Sequence, residues 1–277
     1  MIFNSKKLSL KVPRVMGILN VTPDSFSDGG AFKQLDAALR QSQLMLQEGA
    51  SFIDVGGEST RPGAQDVSEQ EELDRVIPVI EAIHNRFDTI ISIDTSKAQV
   101  MTEAVNAGAG LINDVRALRE PNALVAAVAT KVPVCLMHMA GQPRSMQLAP
   151  DYNDVIKQVG DFLQMRMAAC IEAGIDRANI MIDPGFGFGK SLAHNYQLLH
   201  KLEDLHRFKL PILVGMSRKS MLGDLLLRDV SDRLAGSIAV ATIAALKGVQ
   251  IIRVHDVKET VDAIKIVGML PKDNNNE

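Results

Sequence analysis

The chain has 277 residues, 46% of them apolar, and 30 Lys and Arg against 33 Asp and Glu give it a formal charge of −3. A chain this long and apolar is not disordered, and it buries roughly three quarters of its unfolded surface. A charge this near balance supplies neither a broad basic field for nucleic acid nor an acidic tail for a partner, so any anion must be held locally. Apolar stretches such as 12–19 and 235–246 are broken before the roughly 18 residues a membrane span needs. Two cysteines, Cys135 and Cys170, build neither a metal cage nor a disulfide framework. The opening MIFNSKKLSLKVPR has no apolar core followed by a small-residue cleavage site. A cytoplasmic protein without membrane or nucleic-acid partners is the expectation.

In chain order, short runs apolar on both faces recur: VMGILN to Asn20, FIDVG to Gly56, IISID to Asp94, LIND to Asp114, VCLMH to His138, IMID to Asp183, ILVG to Gly215 and IIRVH to His255. Runs without polar alternation mark parallel strands covered on both sides. Segments of helical period lie between them, such as EELDRVIPVIEAIHNRF around Arg75, VIKQVGDFLQMRMAACIEA around Gln164 and RLAGSIAVATIAALKG around Ala241. Gly49, Gly108, Gly174 and Gly248 stand where a helix ends before a strand and suit the left-handed position that closes a helix. They recur at about two strand-helix units of roughly 30 residues each. Eight such units predict a (β/α)8 TIM barrel, a fold of typically about 250 residues. The expectation is a single domain with its core from about 13 to 268 and a polar tail over 272–277; an open doubly wound sheet is the alternative.

In such a barrel the chemistry gathers at the C-terminal strand ends, and polar residues crowd there: Asn20, Asp24 and Asp28; Glu58 to Arg61; Asp94; Asn113 and Asp114; His138; Asp183; Ser217 to Ser220; Arg253 and His255. A lone Asp at a strand end often caps the next helix. Beside Asp94, however, Thr95 and Ser96 offer that cap, and Asp183 runs into Pro184 and a glycine series. Two carboxylates and an amide in one mouth suit a planar ligand with several N–H donors. DPGFGFGKS imitates nucleotide motifs, yet a P-loop needs glycine where Pro184 stands, and Gly185, Gly187 and Gly189 are spaced GxGxG rather than GxGxxG. The segment is either a loop presenting Phe186 and Phe188 to a pocket or a plain turn with one Phe in the core. Arg61, Arg218, Lys219, Arg253 and His255 make the basic set a phosphate ligand needs, on loops that bind phosphate in this fold. His84, His194, His200 and His206 lack paired metal-ligand spacing and read as solvated, and His138 as a satisfied core histidine. Asn20 with Asp24 or Asp28 offers oxygens for a hard cation such as Mg²⁺.

Taken together, MGILNVTPDSFSDGG, GGESTRPGA, SIDTSKAQV, INDVRAL, MHMAGQPRSMQ, DPGFGFGK, VGMSRKSMLG and RVHDVKET closely resemble the bacterial dihydropteroate synthase family, in its order and spacing, from about Val15 to Val267. The resemblance implies a TIM barrel of folate biosynthesis. Its reaction condenses 6-hydroxymethyl-7,8-dihydropterin pyrophosphate with 4-aminobenzoate, with Mg²⁺ assistance, to give 7,8-dihydropteroate and pyrophosphate. It implies a pterin pocket of Asp94, Asn113, Met137, Asp183 and Lys219, and a pyrophosphate site of Asn20, Arg61, Arg253 and His255, with Asn20 as the Mg²⁺ ligand. The aminobenzoate positions that match are Phe26, Thr60, Arg61, Pro62, Phe188, Lys219 and Ser220. The resemblance further implies catalytic roles for Asp94, Asp183, Lys219, Arg253 and His255, competition by sulfonamides at the aminobenzoate site, and a homodimer.

Breaking the C–O bond puts negative charge on pyrophosphate and positive charge on the pterin methylene, so positive groups are expected on one side and acceptors on the other. An arylamine is already a neutral nucleophile, which makes a dissociative route without a strong base the expectation. Two other readings are a pterin barrel that transfers methyl groups from methyltetrahydrofolate, which leaves the basic cluster without a purpose, and a non-catalytic pterin-binding paralogue. The helix LAGSIAVATIAALKG is apolar nearly all round, which points to a second covered face in a homodimer.

Overall fold

A computed structural model describes residues 1–21, 31–59, 66–141 and 152–271, apart from the side chains of Ala31 and Phe32. A small antiparallel hairpin of β1 (Ile2–Phe3) and β2 (Lys6–Lys7) precedes eight parallel strands: β3 (Arg14–Asn20), β4 (Phe52–Gly56), β5 (Ile90–Asp94), β6 (Leu111–Asp114), β7 (Val134–Met137), β8 (Ile180–Asp183), β9 (Leu213–Val214) and β10 (Ile251–Val254). Neighbours in sequence are neighbours in space, and β10 inserts between β3 and β9. The remaining seam is closed by the bridge of Ile182 with Ile212, beside which Ile182 N–H donates to Pro211 O at 3.0 Å. All eight strands expected from the sequence are present, and with the helices between them they make the (β/α)8 barrel.

Nine α-helices are described: α1 (Ala31–Gln47), α2 (Glu69–Arg86), α3 (Ala98–Asn106), α4 (Ala123–Thr130), α5 (Val155–Glu172), α6 (Leu192–His200), α7 (Ser220–Leu226), α8 (Leu234–Leu246) and α9 (Val257–Gly268). The extra one is α7, a two-turn helix in the segment after β9. The glycines assigned to helix ends do that work: Gly49, Gly108, Gly174 and Gly248 have φ of +102°, +119°, +106° and +76°. Ser68 and Glu71 form a capping box that starts α2, and Asp154 caps α5 through Lys157 N–H.

Successive strand residues face opposite sides, which sorts the barrel interior into layers. The floor takes one apolar residue from each strand: Met16, Phe52, Ile90, Leu111, Cys135, Met181, Leu213 and Ile251. The hairpin, which carried no motif, plugs this floor. Phe3 is 1% exposed and sits edge-on to Phe52 with ring centroids 5.0 Å apart. The buried core therefore reaches back to residue 3, before the position near 13 where the sequence placed its start. Two residues further along each strand the inward set becomes Ile18, Asp54, Ser92, Asn113, Met137, Asp183, Gly215 and Arg253. Two further on, at or just past the strand ends, stand Asn20, Gly56, Asp94, Val115, Met139, Gly185, Ser217 and His255. The outward residues of the same strands, Val15, Ile53, Ile91, Ile112 and their kin, pack with the helices in the main core.

Candidate active site

The upper two layers concentrate opposite charges in little space. Arg253 crosses the barrel from β10: its Nε donates to Asp54 Oδ2 at 2.5 Å and its Nη2 to Asp94 Oδ2 at 2.7 Å. Asp54 is fully buried, and its Oδ2 also faces Asn113 Nδ2 at 3.4 Å. The sequence suggested that Arg253 belongs with the anion groups, apart from the carboxylates. In the structure it is held by two carboxylates, because the interior is narrow enough for one long side chain to span it. Burial pushes the Asp94 carboxyl up to about 7, against the pull of Arg253 and with the nearby charges of Asp54, Glu72 and Asp114 adding to the rise. The guanidinium is held charged: burial opposes this, but Asp54 and Asp94 outweigh it. Gly56 separates Asn20 from Asp94, and a Cβ there would lie 3.9 Å from Asn20 Oδ1 and 3.8 Å from Asp94 Oδ2. The missing side chain leaves the amide and the carboxylate facing across the glycine.

On the opposite wall Asp183 is buried, and its Oδ1 accepts Gly185 N–H at 2.7 Å, closing the turn after β8. Burial raises its carboxyl, and Lys219 offsets part of the rise. Lys219 donates to Phe186 O at 2.5 Å, and its ammonium lies 4.3 Å from the centre of the Phe188 ring. Burial lowers its pKa to about 8, with Asp183 opposing. Gly187 allows this contact, since a Cβ there would come within 3.0 Å of Lys219 Cδ. Phe186 is fully buried in the main core, whereas Phe188 packs on Val115, Met137 and Met139 to make an apolar shelf beside the two aspartates. One phenylalanine thus belongs to the core and one to the site. Ser220, the first residue of α7, is exposed at the rim.

The lysine of the glycine loop does not reach outward as a P-loop lysine would. Lys190, 2% exposed, turns back under the loop and donates to Gly185 O at 2.7 Å and Phe188 O at 3.2 Å, and its Nζ lies 3.0 Å from His138 Nδ1. Burial lowers Lys190 to about 7, and burial with Lys190 as neighbour lowers His138 to about 2, so the imidazole is neutral and satisfied. Arg218, counted in the basic cluster, is occupied by Asp256, with its Nε 3.0 Å from Oδ2 and Nη2 bonded to Oδ1. His255 is half-buried and its Nδ1 lies 3.0 Å from Ser217 Oγ. Phe26, Thr60, Arg61 and Pro62, like Asp24 and Asp28, lie outside the described residues.

Asn20, Asp94, Asn113, Met137, Asp183, Phe188, Lys219, Ser220, Arg253 and His255 are therefore at one barrel mouth. Sequence reasoning passed over Asp54 and Lys190, and placed Ser217 at a strand end without giving it a role. A signal existed for Asp54: an acid in the middle of the otherwise apolar FIDVG has no solvent to face.

A closed (β/α)8 barrel whose C-terminal mouth joins buried carboxylates to Arg, Lys and His defines an enzyme of the TIM-barrel class. The sequence matches the pattern of the pterin-binding enzymes over residues 16–255. The Escherichia coli K12 dihydropteroate synthase is 58% identical over 260 residues, covering 94% of this chain and 92% of its own. The Yersinia pestis dihydropteroate synthase, solved with a sulfonamide drug complex, superposes with a TM-score of 0.92 at 60% identity over 96% of both chains. The Xanthomonas albilineans dihydropteroate synthase with 4-aminobenzoic acid does so with 0.91 at 49% identity, over 97% of this chain and 98% of that one. The chain belongs to the pterin-binding enzyme family and, within it, to the dihydropteroate synthases, which are transferases.

Proposed function

We propose that the protein joins 6-hydroxymethyl-7,8-dihydropterin pyrophosphate to 4-aminobenzoate, releasing pyrophosphate and 7,8-dihydropteroate. The observation that carries this reading is the Asp54–Arg253–Asp94 chain, which puts an anion receptor and a donor-seeking carboxylate within one hydrogen bond of each other. Asp94, Asn113 and Asp183 present acceptors to the N–H groups of the pterin, with Met137 against its ring. Arg253 keeps Asp54 through Nε and exchanges Asp94 for phosphoryl oxygens, which frees Asp94 for the pterin. One group thereby couples the two halves of the substrate.

As the C–O bond breaks, its electron pair goes to pyrophosphate, beside Arg253 and His255. The methylene cation left behind lies next to the acceptors around the ring. The aminobenzoate nitrogen attacks that carbon and then gives up its proton to solvent. Each charge-assisted hydrogen bond contributes about 1.5–3 kcal/mol, so several acting together on the leaving group supply much of a catalytic barrier reduction. Phe188 and Ser220, with Phe26, Thr60, Arg61 and Pro62, serve the aminobenzoate side, where sulfonamides compete.

Mg²⁺ fits the donors. Asn20 Oδ1 is a hard oxygen at the mouth, and among the described residues no three His, Cys, Asp or Glu side chains gather into a cage. Mg²⁺ needs no such cage, since it takes one or two protein oxygens and completes its shell with phosphate and water. Asn20 would hold it, and the ion would offset charge on the departing pyrophosphate. In the homodimer a second copy covers the exposed apolar side chains of α7, of Leu227 just after it and of α8, among them Leu226, Leu234 and Ile243. No described helix is long and apolar enough to cross a membrane, and buried free Cys135 and Cys170 suit a reducing cytoplasm.

Pyrophosphate release from the two substrates tests the reaction, and its absence in the presence of Mg²⁺ refutes it. Positional oxygen exchange in the pterin substrate without aminobenzoate tests the dissociative route. If exchange and uncoupled pyrophosphate release are both absent, attack and departure are concerted.

A further inference from the structure

Ser217 and His255 stand just past the C-terminal ends of the adjacent strands β9 and β10, two residues beyond Gly215 and Arg253. Ser217 Oγ lies 3.0 Å from His255 Nδ1 and also accepts the backbone N–H of His255 at 3.2 Å. A hydroxyl has one proton and two lone pairs. The backbone N–H takes one lone pair, and Ser217 is only 7% exposed, so its own proton needs an acceptor within the protein. Among the described residues, His255 Nδ1 is the acceptor it meets. The reverse arrangement, with an Nδ1–H donating to Oγ, strands the buried hydroxyl proton. A second rung lies beside the pair: Arg218, next to Ser217, bonds Asp256, next to His255, and Arg218 N–H donates to Ser237 Oγ at 3.0 Å.

We propose that Ser217 is a positioning residue whose hydroxyl donates to His255 Nδ1, so that the neutral imidazole carries its proton on Nε2 and meets the phosphoryl oxygens of the leaving group as a donor. The opposite tautomer would offer those oxygens a lone pair and repel them. The role rests on the assignment of His255 to the pyrophosphate side. The Ser217–His255 bond itself does not.

The test uses ligand-free enzyme labelled with ¹⁵N in histidine, read by long-range ¹H–¹⁵N correlation at a pH where the ring is neutral. The expected wild-type spectrum shows Nε2 protonated and Nδ1 as a hydrogen-bonded acceptor. Ser217→Thr keeps that signature. Ser217→Ala loses it, and its KM for the dihydropterin pyrophosphate rises about tenfold, the equivalent of roughly 1.4 kcal/mol, while its KM for 4-aminobenzoate is unmoved. A wild-type ring protonated on Nδ1, or a Ser217→Ala spectrum identical to wild type, overturns the proposal; the wild-type and threonine spectra decide it even if the alanine variant does not fold. An unchanged KM for the pyrophosphate substrate in His255→Ala instead removes His255 from the anion side, a separate failure with its own readout.

Discussion

The barrel floor and the barrel mouth are built from the same eight strands, two to four residues apart, and differ in what fills them. Met16, Phe52, Ile90 and Ile251 close the floor with apolar contact and the Phe3 plug. Along the same columns, Ile251 gives way to Arg253 and then His255, Phe52 to Asp54 and then Gly56, and Ile90 to Ser92 and then Asp94. Dispersion and apolar burial hold the floor without regard to partner identity, so it tolerates substitution in proportion to volume. The mouth holds ionised groups away from water, which is stable only while each keeps its partner. The floor therefore stores stability and the mouth consumes it, with function as the return.

The most severe way to break that contrast is to remove Arg253. Arg253→Met leaves Asp54 and Asp94 buried without their cation and should cost about 3–5 kcal/mol of stability in denaturant unfolding, the range for breaking a buried ion pair from one side. Fully retained stability would mean that the carboxylates are neutral and the mouth is not strained. Lys219→Ala should fold and lose about 10²–10³ in kcat/KM for the pterin substrate, as when one preorganised donor is deleted. Near-wild-type turnover would take Lys219 out of the site. On the floor, Phe3→Ala should cost about 3 kcal/mol through the lost ring and its cavity, with both KM values unchanged. A raised KM would show that the plug reaches the mouth.

These contrasts were only partly legible in the sequence. The strands were legible because runs such as IISID and IMID are apolar on both faces, and the period of two put Arg253 and His255 on the same side. The pairing of Arg253 with Asp54 was not, because it depends on how far one side chain reaches across a closed barrel, which no local pattern records. Asp54 itself went unnoticed because polar residues were sought at strand ends, and FIDVG ends in glycine. The plug and α7 are too short for a periodicity signal: two-residue strands and a seven-residue helix owe their existence to tertiary contact. DPGFGFGKS was rejected as a P-loop at Pro184, and the fate of Lys190 beneath its own loop agrees with that.

A subtler probe of the mouth is its pH dependence. Burial pushes the Asp94 carboxyl up from its ordinary value near 3.8 to about 7. Between those values the folded state keeps a proton that the unfolded state has lost, so Asp94's contribution to stability is fully present below 3.8 and drains away as the pH rises to about 7. Asp94→Asn has nothing to titrate there. Its unfolding midpoint should gain on that of the wild type across this window and run parallel to it above. If the wild type gains instead, the pull of Arg253 outweighs burial and the carboxylate is ionised throughout.

The smallest expected effect separates two neighbours in SRKS. Arg218 and Lys219 carry the same charge in the same motif, yet the Arg218 side chain is 37% exposed and bound to Asp256, whereas Lys219 turns inward to Phe186 O and Phe188. A partly solvated ion pair, even a two-pronged one, contributes about 1 kcal/mol or less. Arg218→Ala should therefore shift unfolding slightly and leave kcat/KM close to wild type, while Lys219→Ala one residue on abolishes most of it. If the two variants lose activity equally, the clamp between the segments after β9 and β10 is part of the site. The boundary between mouth and surface would then lie outside Asp256.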